Sequence, residues 1–248
     1  IVSGILLSRF ISGAIADIAG WRAVYLTAAC MMLLMAGVVW KVMPSPSKQS
    51  QPQKSTYLSL LKSVFQLYIT EPQLRKRGIL ALLIFAAFSM LWTTMVMPLT
   101  ALSLSHTQAG MFGLAGLAGV LAASRAGKWA DQGWAQRTTG LALALLALSW
   151  LPIAYVETSL LWLLVGVIAL DFAVQAVHVS NQSLIIAARP AAASRLVGAY
   201  MCFYSLGSAA GAIVATQLYS HWGWQAVCLA GAAVSTCAFL VWSGSRRS

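Results

Sequence analysis

The sequence predicts an all-α fold, a polytopic membrane helical bundle. Three observations carry that prediction. Hydrophobic residues make up 60% of the chain and charged residues 8%, whereas a soluble domain carries about a quarter charged residues to cover its wetted surface. The apolar residues come in runs near the ~20 needed for a helix to cross the hydrocarbon core. Lys and Arg fall in alternate connections between those runs, as membrane topology requires.

Eight spans follow in order: residues 1–19, 22–43, 78–100, 108–127, 139–156, 159–188, 194–220 and 223–242. The connection over 44–77 carries Lys48, Lys54, Lys62, Arg75, Lys76 and Arg77, with Lys41 just before it. Arg125, Lys128 and Arg137 flank the fourth connection. Arg189 and Arg195 bracket the sixth, and Arg246 and Arg247 close the chain. If every span crosses once, these 14 residues share one side and Arg22 alone takes the other. That asymmetry supports the eight-span count of a multi-pass inner-membrane protein and a cytoplasmic C-terminus. It also removes the nucleic-acid reading of the +11 net charge, because the cations gather on no single face.

Three segments result. Residues 1–43 hold two spans, residues 44–77 form a cytoplasmic linker, and residues 78–248 hold six spans. The linker opens with a Pro-, Ser- and Gln-rich stretch, flexible in character. Tyr57, Leu61, Val64, Phe65 and Tyr68 then recur at helical spacing. They predict an amphipathic helix, either lying on the bilayer face or solvated. Cys30, Cys202, Cys228 and Cys237 lie in apolar runs without CxxC or Cys/His clustering. They read as small packing residues, with no metal site and no disulfide framework.

An internal echo organises the rest. Gly20-Trp21-Arg22-Ala23-Val24-Tyr25-Leu26 reappears as Gly223-Trp224-Gln225-Ala226-Val227-Cys228-Leu229. Each stretch follows a span containing Gly-Ala-Ile, at 13–15 and 211–213. Parallel six-helix repeats build one large class of transporters. If the two stretches are equivalent points, the first repeat is represented by its last two helices only. Four more helices of the same protein are then expected before Ile1, and they are the chain's expected structural partner.

The chain resembles the major facilitator superfamily over essentially its whole length, as helices five to twelve of twelve. Ser8-Arg9-Phe10-Ile11-Ser12-Gly13, followed by Asp17 and Gly20-Trp21-Arg22, resembles the fifth-helix signature of bacterial drug-efflux members. Glu71-Pro72-Gln73-Leu74-Arg75 resembles their approach to helix seven. Gly127-Lys128-Trp129-Ala130-Asp131-Gln132-Gly133 is similar to the loop motif between helices eight and nine. It departs from that motif in having Gln132 where a cation is usual, with Arg137 the next basic residue. Asp171 to Gln182, then Arg189-Pro190 and Ser194-Arg195, is similar to helix ten in a branch of proton-driven exporters. The resemblance implies alternating access about a central cavity lined by helices that include Trp92 and Tyr204.

The strongest local chemical signal is Asp171, Gln175, His178 and Gln182. At 100° per residue they share an arc of roughly 60°. Asp171 falls about 18 Å from the outer end of its span, near the midplane. An ionised carboxylate facing lipid there is costly, so the stripe must face protein or water. It is either a proton relay through Asp171 and His178 or a buried helix contact. Arg9 lies inside the first span, placed to bind substrate or a carboxylate, or to snorkel to the interface. Phe85, Phe88, Trp92 and Met95 form one aromatic-rich stripe, and Tyr200, Phe203 and Tyr204 a second. Each can pack or line a pocket. Gly113, Gly116 and Gly119, and Gly207 with Gly211, permit close helix approach. Asp131, beside Lys128 and Arg137, is a gate contact or a solvated charge.

No nucleotide loop, nucleophile elbow or zincin motif is present, so an enzyme reading has no site and no cofactor is implied. The expected function is proton-coupled export of small amphipathic molecules, with protons and a small-molecule substrate as partners. A proton symporter importing a polar metabolite, and a truncated non-transporting remnant, are the competing readings.

Overall fold

The structure is a computed structural model that describes residues 2–42, 57–103, 112 and 117–245. Those residues form α1 (Val2–Val42), α2 (Tyr57–Thr70), α3 (Pro72–Thr94), α4 (Val96–Ala101), α5 (Leu117–Asp131), α6 (Ala135–Ala154), α7 (Leu160–Ala188), a 3-10 turn (Pro190–Ala192) and α8 (Ala193–Ser245). Among the described residues there is no strand. In hydrocarbon every backbone group must be satisfied within the segment, and the helix does this locally.

Among the described residues five stretches are long and apolar enough to cross a membrane: Ile11–Val42, Pro72–Ala101, Ala135–Ala154, Leu160–Ala188 and Pro190–Ser245. The 53 residues of α8 would extend about 80 Å as one rod, against a hydrocarbon core of about 30 Å. It is broken at Gly223 (φ 73°, ψ −168°), and α1 is broken at Gly20 (φ 78°, ψ 170°). That backbone region is open essentially to glycine alone. The Gly-Trp echo is thus a repeated backbone break. The eight spans read from the sequence fall on the arms of α1 and α8 and on α3–α4, α5, α6 and α7. Part of the fourth, including Gly113 and Gly116, lies outside the described residues.

Side-chain contacts fix the helix directions. Arg77 meets Asn181, and Trp92 meets Asp171, so α3 and α7 are antiparallel. Gly166 of α7 sits against Ser149 and Ile153, and the second arm of α8 runs back along α6 from Trp224 at Ile153 to Trp242 at Gly140. The first arm of α8 is parallel to α3, with Gly78 at Phe203, Gly207 at Leu82 and Gly211 at Ala86. A Cβ on Gly207 or Gly211 would collide with the backbone of Leu82 or Ala86. Lipid tails give no hydrophobic drive between helices, so this backbone-to-backbone fit supplies the attraction. The buried indoles are tied as well, Trp150 to Ser235 Oγ (3.0 Å) and Trp224 to the Ile153 carbonyl (3.1 Å).

Two expectations need correction. Arg77, read as a linker cation, belongs to α3, which starts at Pro72 because proline is suited to the first helical turn. Of the four cysteines, only Cys228 is buried; Cys30, Cys202 and Cys237 lie on the surface. The linker does carry a helix. α2 docks on α8 through buried Leu67 and through Tyr68, whose hydroxyl donates to the Ala199 carbonyl (2.8 Å). Phe65 and Ile69 face outward, and the side chains of Tyr57, Leu61 and Val64 are outside the described residues.

α1 meets the rest of the chain chiefly through α5, and its second arm is exposed. In α3–α4, Pro98 cannot donate to Thr94 and its ring crowds that carbonyl, so the helix is interrupted at Met95.

Candidate functional site

α7 is the central element, touching α3, α5, α6 and α8. Its 29 residues, Leu160–Ala188, follow Ser159, whose hydroxyl accepts from Leu161 N (3.2 Å) and caps the first turn. Pro190 ends it.

The stripe predicted on this helix meets three helices, α3, α5 and α8. Asp171 is 4% exposed and accepts a hydrogen bond from the Trp92 indole N–H, 3.0 Å away. Gln175 packs on α5 at Gly119, where a Cβ would stand 3.0 Å from the Gln175 Cγ and 3.5 Å from the Asp171 carbonyl. His178, two turns on, has its Nδ1 3.1 Å from the Tyr200 hydroxyl and its ring edge-to-face with Phe85 at 5.0 Å. Phe85 also contacts Tyr204, with ring centroids 4.1 Å apart. Gln182 is half-buried.

Phe85 and Trp92 from one aromatic stripe and Tyr200 and Tyr204 from the other therefore converge on the Asp171–His178 face, while Phe203 packs on Tyr68 and Gly78. Phe85, Trp92 and Met95 are buried, and Phe88 is partly so. Tyr200 is fully buried between His178 and Asn181. Arg77, 4% exposed, extends the file by donating to Asn181 Oδ1 at 3.2 Å. His178, Tyr200, Asn181 and Arg77 make a continuous polar path toward the end of the bundle where α3 starts. Arg77 and Asn181 were not singled out from the sequence. The readable signal was the stripe Leu74, Gly78, Ala81 and Phe85, which brackets Arg77 on the buried face of α3.

Other predicted residues fall elsewhere. Arg9 is in the first arm of α1, and its side chain lies outside the described residues. Lys128, Asp131 and Arg137 are exposed, Gly127 is half-exposed, and no ion pair joins the three charges. Gly133 has φ 80° and closes α5, with Trp134 N bonded to the Trp129 carbonyl (2.8 Å) and Gly133 N to Ala130 (3.0 Å). That pair of bonds is a Schellman cap, which favours glycine at this position. The Glu71 motif and the Arg189-Pro190 motif meet directly, with Arg189 Nη1 2.6 Å from Glu71 Oε1.

A helical bundle organised around buried polar groups on its central helix has the form of a membrane transporter core. The chain belongs to the Major Facilitator Superfamily, whose family model matches residues 1–195 and 78–247. It is 42% identical over 242 residues to YgaY of Escherichia coli (strain K12), named an uncharacterized transporter, covering 96% of this chain and 60% of that relative. It is 28% identical over 235 residues to SCO4007 of Streptomyces coelicolor, named as a transporter, covering 93% of this chain and 54% of that one. The chain thus spans less than two thirds of the length of these relatives.

Proposed function

We propose that this chain is the larger part of a proton-coupled secondary transporter, exporting small amphipathic molecules by alternating access. The observation that carries the reading is Asp171, a buried carboxylate about 17 Å along α7 from Leu160, held by the Trp92 indole. Intramembrane carboxylates are costly and mark ion and proton pathways. Asp171 takes the proton, and His178, about 10 Å further along the helix, receives it through water and stands at the head of the path to Tyr200. The buried Trp92 and Tyr200 position these two groups. The half-buried Gln175, Gln182 and Tyr204 are the surfaces left for substrate, and Arg9 keeps the substrate-binding role expected from the sequence.

The orientation is part of the proposal. Arg75, Lys76, Arg77, Lys128, Arg137, Arg189 and Arg195 share one end of the bundle, since Glu71 meets Arg189 and Gly140 meets Trp242. That end faces the cytoplasm of a bacterial inner membrane. The loop motif from Gly127 to Gly133, with Arg137, is the cytoplasmic gate.

The test is substrate flux in the full-length protein with and without an imposed pH gradient. Asp171→Asn preserves size and hydrogen bonding but cannot carry a proton. It is expected to abolish the gradient-driven component while passive exchange survives. His178→Gln shifts the pH profile with a milder loss of rate. Full gradient-driven flux in Asp171→Asn would make Asp171 a structural contact and end the coupling reading.

A further inference from the structure

A cavity lies away from the Asp171 face. It is a cleft of about 390 Å³ between α5, α6 and α7, lined by Trp129, Trp134, Arg137, Leu141, Leu145 and Phe172 among others. On α7, Phe172 and Ala176 point roughly 100° or more away from Asp171, so the cleft does not open on the polar stripe. Its outer rim is Leu141, 76% exposed on a membrane-crossing helix, so it opens sideways to the bilayer.

We propose that this cleft binds an anionic phospholipid of the leaflet at the basic end, one acyl chain in the cleft and its phosphate on Arg137. Depth is the first argument. From Trp134 to Leu145 the wall runs about 16 Å along α6, close to half of the ~30 Å hydrocarbon core. It reaches from the interface to the midplane, the extent of one leaflet's chains.

The chemistry of the walls agrees. The lining is apolar apart from Arg137 and Thr138, and the Thr138 hydroxyl is already spent on the Trp134 carbonyl (3.1 Å). The polar group left is a cation at the mouth. Arg137 is exposed, and among the described residues no carboxylate lies within ion-pair distance of it. Guanidinium binds phosphate oxygens in a two-pronged geometry. Trp129 and Trp134 line the cleft together with Arg137, and indoles favour the membrane interface. The Schellman cap at Gly133 holds the two together, through the bond from Trp134 N to the Trp129 carbonyl.

The experiment is a lipid titration of the detergent-purified full-length protein followed by native mass spectrometry. Phosphatidylglycerol and phosphatidylcholine of identical chains are compared, with glycerol phosphate as the headgroup alone. Phosphatidylglycerol should bind about fivefold tighter than phosphatidylcholine, the weight of one cation at an anionic surface. Glycerol phosphate should not compete. Arg137→Gln, an exposed change that leaves the packing intact, should erase the preference. Arg195→Gln, at the same end but outside the cleft, should keep it. Ala176→Phe should displace both lipids. Equal binding of the two lipids by the unaltered protein, or a full preference in Arg137→Gln, would overturn the proposal. Retention of a neutral lipophile without lipid preference would also overturn it, making the cleft a niche for another ligand.

Discussion

At the scale of single residues, the bond between Arg77 and Asn181 is the contact most exposed to experiment. A buried cation without partners is strongly destabilising, and a hydrogen bond to a charged group is worth about 1.5–3 kcal/mol. Asn181→Leu should therefore destabilise the protein in detergent by about 1.5–3 kcal/mol and lower its thermal midpoint. Arg77→Met in the same background should restore most of it, because the orphaned charge is gone. A double-mutant cycle on melting temperatures measures the coupling. Additive losses would place the two residues in independent roles. Trp92→Phe keeps an aromatic ring and deletes the N–H that Asp171 accepts. The expected result is a displaced pH profile of gradient-driven flux at similar expression. An unmoved profile would assign Trp92 to packing alone. Asp171 and His178 stood out in the sequence because a titratable side chain inside an apolar run must face protein or water. Arg77 was not, because next to Arg75 and Lys76 it looks like one more loop cation, and only the start of α3 at Pro72 turns it inward.

At the scale of elements, the contact of α3 with the first arm of α8 depends on two missing side chains. Gly207→Ala and Gly211→Ala insert a methyl group against the Leu82 and Ala86 backbone, which cannot move aside as a side chain can. Overpacking of this kind costs about 1–3 kcal/mol, so each variant should melt lower. Gly198→Ala is the control: it lies on the same helix with open space around it, and alanine is the better helix former by up to about 1 kcal/mol. It should melt at the same temperature or slightly higher. If all three variants behave alike, helix propensity rather than close approach governs the pair. The small-residue spacing on α8 announced a packing face, but not its partner. That partner is α3, more than a hundred residues earlier in the chain.

At the scale of the whole molecule, the separation of charge along the bundle axis predicts topology. In a background with the native cysteines replaced, a cysteine at Gln132 lies at the basic end, and one at Glu157 or His221 at the opposite end. A membrane-impermeant thiol reagent added to intact cells should label Glu157→Cys and His221→Cys and spare Gln132→Cys. The reverse pattern would invert the orientation.

The sequence by itself determined the class of architecture, the positions of the breaks at Gly20 and Gly223, and the face of α7 that carries its polar groups. These are decided locally: by apolar run length against membrane thickness, by the backbone freedom of glycine, and by the 100° step of the helix. Only the tertiary structure decided that Trp92 serves Asp171, that Tyr200 serves His178, that Arg77 is buried, and that Glu71 pairs with Arg189. Each of these contacts joins residues far apart in the chain. Which side chains meet depends on the rotation and register of whole helices, set by the summed packing of small and aromatic residues along each interface, and no short stretch of sequence contains that sum.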